Sequence, residues 1–245
     1  MSGVARIEFP AGQVMSPWDV VAEISSAVDS ESWVLIGGLM VQAHALMSSY
    51  ESRATVDVDM LIDVLADSTN ITHVIEALES LDFEAQEPAF RKSPFHRLMR
   101  GEQIVDVLIA DHLPSGRRAG AKMGALPLLE TLGGAQAIDR KMKVEFKYAD
   151  TVCTFYMPDV LGALVIKGAA YSSDNRDRDR HLEDAALLAS LVGDVKHELD
   201  RLRGSDKKRL RSLQRELAEP NHLAWLNLPA ENRQRGQDVL RILSS

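Results

Sequence analysis

The alternation of apolar and polar residues changes character near residue 157. Before it, short apolar runs bounded by Gly, Pro and charged residues are interleaved with stretches of helical spacing. After Met157-Pro158 only the helical period persists. Ser16-Pro17-Trp18-Asp19 predicts a helix start, with Ser16 as cap, and the helix runs to about Val28. Trp33 to Ile36 reads as a buried strand, Gly37-Gly38 as a turn, and Leu39 to Met47, apolar on nearly all sides, as a buried helix. Val56 to Val64 predicts a strand. Ile71, Val74, Ile75, Leu78 and Leu81 place an amphipathic helix over 68–81. Phe95 to Met99 and Gln103 to Ile109 read as a hairpin around Arg100-Gly101-Glu102, and Lys141 to Lys147 pairs with Thr151 to Tyr156. Residues 111–126 read as a loop, and Gly133-Gly134 as a break. Helices are predicted at 158–172, 178–192, 194–203, 205–218 and 231–243. The expectation is an α+β protein: a mixed-sheet domain over 1–157, then a helical domain over 158–245.

Composition narrows the function classes. The net charge of −8 argues against a surface that grips nucleic acid throughout, and 5% aromatic residues argue against a base-stacking platform. A single cysteine, Cys153, excludes an intrachain disulfide and fits a reducing cytoplasm. Neither a secretory leader in MSGVARIEFP nor a membrane-spanning run is expected.

Against that background a few residues carry chemistry. Asp57 and Asp59 are two apart on a strand, so their carboxylates share a face and can converge on one cation. Asp106 lies in the otherwise apolar run Ile104-Val105-Asp106-Val107-Leu108-Ile109, where a carboxylate needs a partner. It could join the pair as a ligand or base, or be tied to Arg97 or Arg100. Gly37-Gly38 would let a backbone approach phosphates at a helix start, or serve as a plain turn. Lys167 is the one charged side chain in VLGALVIKGAAY. A bound triphosphate, Asp174 or Asp184 could neutralise it, or it could reach to the surface. Asn175 to Asp184 mixes both signs of charge. Lys196 to Arg215 is basic enough for a phosphate-backbone stripe, though a solvated face is the commoner meaning. No zinc spacing and no nucleophile elbow is present.

The ordered segments IGGLMVQAH, RATVDVDMLI, HRLMRGEQIVDVLIAD, GGAQAIDRKMKV, LVIKGAAY and DRDRHLEDAALLASL resemble the nucleotidyltransferase superfamily. They are most similar to the branch that includes the AbiEii and MenT toxins of toxin–antitoxin systems. That resemblance implies a nucleotidyltransferase-like fold in which Asp57, Asp59 and Asp106 hold Mg2+ or Mn2+. It implies that Gly37 and Gly38 cradle a nucleoside triphosphate, with Arg53, Lys167 and Asp184 completing the nucleotide site and Thr55 matching more loosely. An acceptor hydroxyl (on a tRNA 3′ end, a protein or a small molecule) would attack the α-phosphate and release pyrophosphate. A cognate antitoxin would be a partner. Leu39-Met40 stand where many members carry Ser or Thr, residues 48–51 look inserted, and His181 replaces a usual Lys or Arg. The competing reading is a non-catalytic binding or regulatory partner on the same fold. A D-x-D glycosyltransferase would need more βαβ units than precede residue 157.

Overall fold

A computed structural model describes residues 4–9, 16–88, 93–174 and 178–245. The chain begins with β1 (Ala5–Ile7), α1 (Trp18–Ala27), β2 (Trp33–Ile36) and α2 (Gly37–Met47). It continues through β3 (Asp57–Ile62), α3 (Asn70–Ser80), β4 (Glu84–Ala85), β5 (Arg97–Arg100) and β6 (Gln103–Ala110). Then come α4 (Ser115–Gly120), β7 (Lys122–Met123), β8 (Leu126–Pro127), β9 (Leu129–Thr131), α5 (Gly134–Asp139), β10 (Lys141–Tyr148) and β11 (Thr151–Pro158). Helices alone follow: α6 (Val160–Ser173), α7 (Asp179–Leu191), α8 (Val195–Asp200), α9 (Asp206–Glu216), α10 (Leu223–Leu226) and α11 (Ala230–Leu243). The protein is α+β, as its periodicity implies. No helix among the described residues is long and apolar enough to cross a membrane.

The main sheet has the order β2-β3-β6-β5-β4, with β9 added alongside β6. It is mixed: β3 and β6 run parallel, while β2 and β5 are antiparallel to their neighbours. The β5–β6 hairpin closes through Gly101, whose φ of +60° favours glycine. A second sheet, β1-β10-β11, packs beside β2, where Trp33 stacks on Phe155 at 6.2 Å between ring centroids. Phe9, Trp18 and Phe146 meet edge to face around that stack. One continuous apolar core runs from this aromatic cluster through the main sheet into α6, α7, α9 and α11.

Several expectations are adjusted. Val56 is exposed and unpaired, so the strand expected over 56–64 narrows to Asp57–Ile62. Ser16 does not cap α1, whose N-cap is Pro17 without a side-chain bond. The loop expected over 111–126 holds α4 and the short β7–β8 pair. The break at Gly133-Gly134 opens α5, where the buried Asp111 carboxylate accepts from the amides of Gly133 and Ala135 at 2.9 and 3.3 Å. The run Asn175 to Asp184 is described only from Arg178, so Asn175, Arg176 and Asp177 lie outside the described residues.

Candidate active site

β3 and β6 are parallel neighbours in a register that sets Asp59 beside Asp106. With Asp57 on the same face of β3, one oxygen from each carboxylate comes within 4.8 Å of the others. The pairing of Asp57 and Asp59 follows from strand geometry alone. The third carboxylate arrives by tertiary register.

Each carboxylate has a different environment. Thr55 Oγ1 donates to Asp57 Oδ1 at 2.8 Å. Asp106 is held by a two-pronged bond from Arg97, Nε to Oδ1 at 2.8 Å and Nη2 to Oδ2 at 2.7 Å. Asp59 has no hydrogen-bond partner among the described residues. Burial, then the charges of Asp57 and Asp106, push its carboxyl up to about 7; Lys167 and Arg180 pull the other way. A cluster of hard oxygen donors, one of them without a hydrogen-bond partner among the described residues, could hold a divalent metal ion.

The glycine turn is shaped by these same side chains. Gly37 has φ +71°, and a Cβ there would sit 1.7 Å from Asp59 Oδ2. A Cβ on Gly38 would meet Thr55 Oγ1 at 2.6 Å and Arg53 Nη2 at 3.2 Å. The pair therefore makes room for the site's own carboxylate, hydroxyl and guanidinium at the start of α2.

The opposite wall is helical. Lys167, buried on α6, contacts Asp184 of α7 at 2.7 Å. Arg53 reaches the same carboxylate with Nε at 3.0 Å and Nη2 at 3.3 Å. Burial opposes the charge on Asp184, but Lys167 and Arg53 outweigh it and hold its pKa below the ordinary carboxylate value. Between this wall and the sheet lies a cleft of about 510 Å³. Gly37, Gly38, Arg53, Asp57, Asp59, Asp106 and Lys167 all line it, whereas Asp184 stands behind Lys167 and Arg53. Of the two groups offered by the sequence as partners for Lys167 within the chain, Asp184 is the one in contact.

No protein-family model matches the chain. No curated protein matches it. A solved structure, an antigenic nucleotidyltransferase-like protein from Paracoccidioides brasiliensis, aligns with 82% of this chain and 88% of its own, at 17% identity and a TM-score of 0.47. A likeness at that level assigns no role to any residue of this chain.

Cleft residues beyond the expected set include His96, Arg180, His181 and the stretch from Leu129 of β9 to Leu132. Of the two arginines that the sequence offers for Asp106, Arg97 is the one in contact, because the turn at Gly101-Glu102 fixes it opposite Asp106 across the hairpin. The β9 segment pairs in parallel with distant β6, and nothing local marks it. The basic stretch 196–215 is largely occupied within the fold. Arg201 pairs with Asp159, Arg203 with Asp139, and Arg209 with Gln136 and Asp111. Arg211 and Lys207 donate to the Ser244 and Ser245 carbonyls.

Proposed function

We propose that this protein is a divalent-metal-dependent nucleotidyltransferase, moving a nucleoside monophosphate from a nucleoside triphosphate to an acceptor hydroxyl. The observation that supports this best is the convergence of Asp57, Asp59 and Asp106 at the floor of a cleft whose far wall carries Lys167 and Arg53. The three aspartates would hold magnesium or manganese, which when bound supplies positive charge against the phosphate oxygens. Thr55 orients Asp57, and Arg97 neutralises Asp106 in the nucleotide-free cleft. Lys167 and Arg53, fixed by Asp184, present cations to the phosphates from the side opposite the sheet. The acceptor oxygen forms a new bond to the α-phosphorus as the bond to the bridging oxygen breaks. Pyrophosphate leaves with that electron pair, and the hydroxyl proton passes to a carboxylate of the cluster.

The proposed boundary between the sheet-bearing and helical domains lies at 157/158, with the cleft between them. The order of motifs supports the finer placement beside the AbiEii and MenT toxins, with an antitoxin as partner and an RNA end, protein or small molecule as acceptor. Growth arrest on expression that disappears with Asp57→Ala would accord with it; arrest that persists would favour a non-catalytic binding role.

The direct test is thermal unfolding with ATP, CTP, GTP or UTP plus Mg2+. At least one nucleotide should raise the midpoint at about 100-fold excess over its Kd, where linkage contributes about 2.7 kcal/mol. Asp57→Ala should remove the shift. No response of the wild type to any of the four would defeat the proposal.

A further inference from the structure

Three carboxylates meet in the cleft, and among the described residues only Asp106 has a cationic side chain in contact with it. Arg97 and Asp106 are Cα partners on the antiparallel β5–β6 pair, so both side chains rise from the same face of the sheet. The guanidinium meets Asp106 fork to fork at 2.8 and 2.7 Å. Arg97 keeps 38% of its side chain exposed and lines the cleft, against 11% for Asp106. Asp57 and Asp59 also act on it electrostatically, so the guanidinium answers to the whole cluster. An arginine cannot leave such a position by losing its proton. It must be outcompeted, or be offered another anion with the same forked geometry, and phosphate is such an anion.

We propose that Arg97 is the resident counter-ion of the carboxylate cluster, and that it makes divalent-cation loading depend on nucleotide. Without nucleotide, its charge on Asp106 weakens cation binding. When phosphates enter the cleft, Arg97 has an alternative partner, Asp106 is released to the cation, and the two ligands bind with positive coupling. By linkage the cation then strengthens nucleotide binding by the same factor. This inference rests on the metal-site reading above. A purely structural Arg97 would predict the reverse, since its loss would loosen Asp106 and weaken the cation.

The test is Mn2+ binding to the metal-free full-length protein, followed by the electron paramagnetic resonance of free Mn2+. It is repeated with each of the four α,β-methylene nucleoside triphosphates and corrected for Mn2+ bound by nucleotide alone. Arg97→Gln should bind Mn2+ about tenfold more tightly than wild type without nucleotide, within the usual range for coupled sites. The factor by which an analogue improves Mn2+ binding should fall below the wild-type factor, leaving only the direct attraction between cation and phosphates. Arg97→Lys, which keeps the charge but loses the fork, should fall between the two and serves if the glutamine variant does not fold. Mn2+ binding in both variants equal to or weaker than wild type would overturn the proposal while leaving the metal site standing. Absence of Mn2+ binding in wild type and variants alike, with or without analogue, would remove the metal site and this inference together.

Discussion

Gly37 is glycine for two reasons that act together. Its φ of +71° is one that L side chains rarely adopt, and its missing Cβ leaves the space that Asp59 Oδ2 fills. Burial first, then the like charges of Asp57 and Asp106, push the Asp59 carboxyl up to about 7. The ionised form is therefore unfavourable in the folded chain on its own. Asp59→Asn keeps the shape and removes the charge. In EDTA at pH 8, above the raised pKa, the variant should be more stable than wild type by on the order of 1 kcal/mol, after allowance for water in the cleft. That corresponds to a melting shift of about 2–4 °C for a chain of this length. In Mg2+ or Mn2+ the order should reverse, because only the wild type gains from the cation. A variant that melts lower than wild type in EDTA would show that the carboxylate is satisfied without metal. At this scale the sequence was partly legible. Asp57-x-Asp59 needs only the two-residue period of a strand. Gly37-Gly38 suggested an approach of backbone to phosphate, and the crowding by Asp59, Thr55 and Arg53 could not be seen without the β2–β3 pairing.

Among the elements, those that declare themselves are long enough to show a period. α3, α6, α7 and α11, and the β5–β6 and β10–β11 hairpins, match their expected ranges to within a few residues. β4, β7, β8, β9, α5 and α10 have two to six residues each and exist because a neighbour pairs with them or caps them. α2 shows how a legible element hides its anchor. His44 lies on its buried face and donates Nε2–H to the carbonyl of Pro158, at 3.0 Å, where β11 hands over to α6. Burial drives its pKa down to about 4, against the raising effects of that bond and of Asp159. The folded state thus binds this proton less readily than the unfolded chain, whose histidine titrates near 6.5. Its contribution to stability is complete above about pH 6.5 and is lost as pH falls towards 4, by about 3 kcal/mol in all. His44→Gln retains an N–H for the carbonyl and cannot titrate. Urea unfolding at pH 7.5 and 4.5 should show wild type losing about 2–3 kcal/mol more than the variant between the two. Equal losses would mean that His44 takes up its proton in the folded state as readily as in the unfolded chain.

A buried ion pair spans the change from mixed to helical sequence. Arg140, at the end of α5, donates to Asp206 Oδ2 at 2.6 Å, and the two side chains are 4% and 0% exposed. Arg140 also reaches the Arg201 carbonyl, and the Arg203 amide donates to Asp206. Arg140 Nη1 and Asp206 Oδ1 nevertheless find no partner among the described residues. Such a pair contributes little net stability but is costly to break from one side, about 3–5 kcal/mol, since one charge is left buried alone. Against a typical domain stability of about 5–15 kcal/mol, Asp206→Ala should remove a large share of the protein's stability. Replacing both groups, Arg140→Met with Asp206→Leu, should recover most of that loss. The tryptophans are placed to show whether the two regions part company. Trp18 and Trp33 are buried with the sheets, and Trp225 is buried among the helices. With one unbroken core, wild type should lose sheet and helical tryptophan signals in a single urea transition coincident with far-ultraviolet circular dichroism. If the ion pair serves cohesion as well as stability, Asp206→Ala should separate the Trp225 transition, read in a variant lacking the other two tryptophans, from that of Trp33. The double replacement should merge them again. A cost below about 1 kcal/mol for Asp206→Ala would instead place the cohesion in the apolar core and leave the ion pair incidental.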